Sequence, residues 1–66
     1  MIRLEIQHLK LGDSLKFTPQ GDIYRLKDIL GGKPNMAILV NEDGIEKKVS
    51  VNTSVYFITK NFDGEN

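Results

Sequence analysis

The chain has no cysteine and no tryptophan, one histidine and two prolines, and its nine basic residues are balanced by nine acidic ones. Each shortage removes a class of protein. Without cysteine there is no disulfide framework and no thiolate metal cluster, one of which small secreted domains normally need, so a reducing, cytoplasmic setting is expected. A single histidine and no cysteine fall short of the ligand set of a zinc site, and neither a metal nor another cofactor is expected. Nucleophilic catalysis would have to use His8 as its base, with no motif around it to supply a nucleophile. His8 therefore reads as a surface or strand-end residue, and the chain as no enzyme.

Long apolar runs are missing as well. Ile2, Leu4 and Ile6 alternate with Arg3, Glu5 and Gln7, which is unlike the unbroken apolar stretch of a signal peptide. No later run approaches the roughly 20 residues of a membrane span. The glycosylation sequon Asn52-Thr53-Ser54 is read as chance, because nothing at this N-terminus resembles an export signal. Net charge is zero, so no summed field draws the chain to nucleic acid or to an anionic membrane.

What is present suits one small globular domain. The chain has 66 residues, of which 39% are apolar and 27% charged, enough for a single core but not for two. Residues 1–60 are expected to form the domain and 61–66 a polar tail. The period-two alternation of residues 2–7 predicts a first strand. Gly12-Asp13 marks a turn, and 14–18 alternates again with Leu15 and Phe17 inward. Residues 23–30 have helical spacing at Ile23, Leu26, Ile29 and Leu30, but Ile23, Tyr24 and Ile29 favour a strand, and strand-like neighbours favour that reading. Asp28 before Ile29 suggests a bulge or bend there. Met36-Ala37-Ile38-Leu39-Val40 is the most apolar run and reads as a strand buried on both faces. Asn41-Glu42-Asp43-Gly44 links it to 45–51 as a hairpin, with Gly44 at the left-handed position. One short 3-10 turn at 52–54 and a last strand over 55–59 complete the order.

That order, all-β with five or six strands and a single turn before the last, resembles the small Src-homology-3-type barrels, including Tudor and KOW domains, over residues 11–59. The resemblance implies a closed small barrel. A shorter stretch, Leu11-Gly12-Asp13-Ser14-Leu15-Lys16-Phe17 followed by Gly21-Asp22-Ile23-Tyr24, resembles AbrB-type swapped-hairpin regulators, which implies DNA binding as a dimer.

Among the carboxylates, Asp13, Asp22 and Asp43 each adjoin a glycine, where an aspartate usually bonds its own turn, and Asp28, Glu42 and Glu46 are the remaining acids considered for acid-base or hard-cation chemistry. Gly31-Gly32-Lys33 lacks the spacing of a phosphate loop. Lys16, Arg25, Lys27 and Lys47, with Lys48 beside them, would form a basic patch if their faces adjoin, and Tyr24 or Tyr56 would supply a stacking ring for RNA or DNA. In the last strand Val55 and Phe57 share one face while Tyr56 and Ile58 share the other, so a protein partner is expected at Tyr56 and Ile58, with Phe62 in the tail adding to that surface. Richness in isoleucine, lysine and asparagine in so short a chain is similar to small accessory proteins of bacteria and their phages, which implies binding to another protein and, in some of them, its inhibition. The expectation is a non-catalytic module with a protein partner; the alternatives are a nucleic-acid-binding barrel and an obligate homo-oligomeric structural protein.

Overall fold

A computed structural model describes residues 2–58; the expected tail 61–66, Phe62 and the end of the last strand lie outside the described residues. Within them the chain forms β1 (Ile2–Glu5), a 3-10 turn (Ile6–His8), β2 (Ser14–Lys16), β3 (Tyr24–Leu30), β4 (Met36–Asn41), β5 (Glu46–Ser50) and β6 (Ser54–Ile58). All pairings are antiparallel. The spatial order is β1-β6-β2-β3-β4-β5, a meander from β2 to β5 with β6 returning beside β2 and β1 added outside it. No described helix is long and apolar enough to cross a membrane.

The pleat sends alternate residues to opposite faces, and one face carries the core. Ile6, Leu15, Ala37, Leu39 and Val55 are fully enclosed and Leu26 nearly so, with Leu9, Phe17, Tyr24 and Val49 packed against them. A flat single layer leaves both its faces wet. Complete enclosure of residues from β2, β3, β4 and β6 therefore requires the sheet to curl over its own inner face. The curl is tied at one end by Val51, whose N–H donates to the Asn35 carbonyl and whose carbonyl accepts from the Gln7 N–H.

Several sequence expectations hold. Residues 24–30 form a strand rather than a helix, because each makes a cross-strand partner on β4 except the one at the bulge. That bulge falls between Leu26 and Asp28, leaving Lys27 unpaired and bringing Ile29 to the inner face opposite Ala37. The β4–β5 hairpin turns as expected, with Gly44 at φ +81°. The Asn41 side chain holds this loop, accepting from the N–H of Asp43 at 2.9 Å and of Ile45 at 3.0 Å.

Other expectations need correction. The 3-10 turn lies at Ile6–His8, not before the last strand, where Ser50 and Thr53 close a simple turn instead. The cause is that β6 begins at Ser54: Ile6 N–H still reaches the Thr53 carbonyl and Gln7 N–H the Val51 carbonyl, but no partner strand continues alongside, and Leu9 N–H closes back on the Ile6 carbonyl at 2.9 Å. The bend drops Ile6 into the end of the core. The second strand stops at Lys16 and leaves Phe17 in the loop. Among the described residues no pairing joins β1 to β5, so the hydrogen-bonded sheet is open, where a closed barrel was expected. Finally, β4 is enclosed on one face only: Ala37 and Leu39 are buried, whereas Met36, Ile38 and Val40 on the other are half-buried.

Candidate functional site

The outer face of the sheet is assembled row by row from the pairing. Ser14 stands between Ile58 and Arg25, Arg25 is opposite Val40, and Val40 is opposite Glu46, which makes one continuous row across five strands. On one side of it Tyr56 is flanked by Lys16 and Arg3. On the other side run Asp28–Ile38–Lys48 and Leu30–Met36–Ser50. An apolar stripe thus follows β4 through Met36, Ile38 and Val40, and long charged side chains stand on both flanks. Their stems cover apolar surface only in part.

The sequence candidates fall on this face unevenly. Tyr56 and Ile58 are both on it and half-buried. Lys16, Arg25, Lys27 and Lys48 are on it too, so the surface expected for a protein and most of the surface expected for nucleic acid coincide. Lys47 is not: it lies opposite Leu39 on the inner side, because neighbours in a strand point to opposite faces. Its ammonium sits 5.0 Å from the Phe17 ring centroid and 5.5 Å from that of Tyr24, themselves in edge contact at 5.3 Å. Lys47 and Tyr24 therefore cap the open end of the core and do not join the expected basic patch. Phe62 lies outside the described residues.

Arg3, which the sequence reading left out, stacks on Tyr56 with its guanidinium carbon 5.1 Å from the ring centroid. The signal was the cross-strand register, which cannot be read before β1 is known to pair with β6. Lys27 is ion-paired with Glu46 across the outer face. The hydrogen bond and charge of Glu46 raise the Lys27 ammonium above its ordinary 10.5, with Asp28 adding a little. Both partners are about half exposed, so the pair orients the bulge more than it stabilises the fold. The outer face carries the bases Arg3, Lys16, Arg25, Lys27 and Lys48 against the acids Glu5, Asp28 and Glu46, an excess of two that Glu42, beside Arg25 and Val40, reduces to one.

A shallow groove of about 240 Å³ opens at one end of this face beside Ser14, Ile23, Arg25 and Val40. It runs into a second of about 290 Å³ bounded by Lys16, Asp22, Glu42 and Asp43. Among the described residues no three of His, Cys, Asp and Glu come together as a metal would require. Asp13 Oδ2 accepts the Lys10 N–H at 2.8 Å in its turn, and Asp28 Oδ1 accepts the Ile29 N–H at 2.8 Å at the bulge in β3. His8 is exposed at the end of the 3-10 turn. Compared with known proteins, the chain matches no family model, no curated protein and no solved structure.

Proposed function

We propose that this chain is a non-catalytic binding module that docks another protein on the outer face of its sheet. One observation carries the reading: β4 is apolar on both faces, and among the described residues only the inner one is fully enclosed, Met36, Ile38 and Val40 on the outer one being half-buried. Strands with that pattern belong between two layers, and here the second layer is absent from the described residues. Ile23 and Leu30, 41% and 40% exposed, extend the stripe at its two ends. The basic excess on the flanks selects a partner that presents apolar side chains among carboxylates. The strand order of β2 to β6 supports reading the curled, open sheet as similar to the Src-homology-3 type in strand arrangement, a frame on which binding surfaces of many kinds are built.

A photo-crosslinking residue at Ile38 tests this. It should capture one discrete protein from the source cell, while the same group at Ile45, exposed in the β4–β5 turn, captures nothing specific. Equal capture at both sites would sink the proposal.

A second reading rests on Tyr56 held between Arg3 and Lys16, a ring flanked by cations as in single-strand binders. Amide NMR with short DNA and RNA separates the two. Shifts centred on these residues that survive physiological salt would replace the protein reading; shifts that vanish with salt would leave it standing.

A further inference from the structure

Sheet edges expose main-chain groups, and their hydrogen-bonding phase here is determined by the pairing. Ile6 N–H bonds the Thr53 carbonyl in the same register that sets Leu4 opposite Val55 and Ile2 opposite Phe57. Alternation then turns the main chain of Ile2 and Leu4 toward β6 and that of Arg3 and Glu5 outward, to an edge that no described strand pairs. On β5, Asn41 N–H bonds the Ile45 carbonyl, so Lys47 and Val49 face β4, and Glu46, Lys48 and Ser50 face outward.

Two copies of β1 can pair antiparallel about a two-fold axis normal to the sheet in few ways. Arg3 opposite Arg3, or Glu5 opposite Glu5, sets like charges side by side. The intermediate register places Arg3 of each copy opposite Glu5 of the other. Each such pair then exchanges both main-chain hydrogen bonds on the outer face while Leu4 meets Leu4 on the inner face as the close pair. Ile2, 54% exposed, comes beside the Leu4–Ile6 end of the second copy. The opposite edge differs: the β5 register that pairs Glu46 with Lys48 sets Lys47 directly against Lys47. Lysine on an edge strand is a common guard against such pairing.

We infer that β1 is the seam of a homodimer, joined antiparallel with Arg3 opposite Glu5 in both halves, so that two copies form one continuous sheet. The two-fold axis leaves both outer faces on the same side of that sheet, which gives a partner two docking stripes at once. The seam itself requires no partner on the outer face.

Sedimentation velocity over the micromolar to millimolar range, with amide NMR to show that each variant is folded, tests the seam. The unaltered chain should dimerise. Arg3→Glu should raise the dimer dissociation constant by at least about tenfold, and Arg3→Glu with Glu5→Arg should restore it to within about threefold, since the swap re-forms both ion pairs. Arg3→Pro should abolish the dimer with β1 still paired to β6, because it removes an N–H that points away from β6. A chain that stays monomeric throughout, or a dimer indifferent to both the reversal and the swap, would overturn the inference.

Discussion

Leu39 and Val40 are chain neighbours on β4, yet Leu39 is fully enclosed and Val40 is half-buried on a face that no layer of the described residues covers. The contrast predicts opposite consequences for similar changes. Leu39→Ala should cost about 2–5 kcal/mol, the transfer of the lost side chain plus the cavity it leaves. Val40→Thr should change stability little while weakening partner binding. Urea denaturation read beside a binding assay checks both. Comparable loss of stability in the two variants would show that the outer stripe belongs to the fold alone.

Gly44 adopts φ +81° where the β4–β5 loop closes, and nothing lies within 4 Å of where a Cβ would stand. Steric room is therefore ample and only the backbone is strained. Gly44→Ala should lower stability by about 1–2 kcal/mol, and Gly44→Asn by less, since asparagine tolerates the left-handed region. Thermal melts of the two variants give the order.

Lys27 titrates above 10.5 in the folded chain because Glu46 holds its proton, and the unfolded chain lacks that partner. From neutral pH up to 10.5 Lys27 is protonated in both states and the pair contributes in full; as pH rises through the raised folded value, that contribution is lost. The stability difference between the native chain and Lys27→Gln should thus be constant through neutral pH and shrink as pH rises into the strongly alkaline range. Added salt should reduce it everywhere, because the pair is exposed. Denaturant midpoints across pH show the window, and a difference that collapses near neutrality would rule out this pairing.

Local chemistry made some of the fold legible. The β4–β5 hairpin was readable because Gly44 and Asn41 build the turn from their own neighbourhood, and the bulge because Asp28 breaks an otherwise regular alternation. The 3-10 turn was not. Ile2, Leu4 and Ile6 alternate as an unbroken strand would, and only the end of β6 on the far side of the sequence tells Ile6 to leave it. For the site, parity alone placed Tyr56 and Ile58 together, but parity within β5 could not say which of Lys47 and Lys48 faced outward until Leu39 was known to lie opposite Lys47.

By itself, then, the sequence determined the all-β class, most strand positions, the hairpin, the inward side of Leu15 and the shared face of Val55 and Phe57, all set by residues within a few positions of each other. Tertiary structure alone decided the return of β6 beside β2, the outer edge of β1, the separation of Lys47 from the other bases and the bare side of β4. These depend on register between distant strands, which no local run of residues encodes.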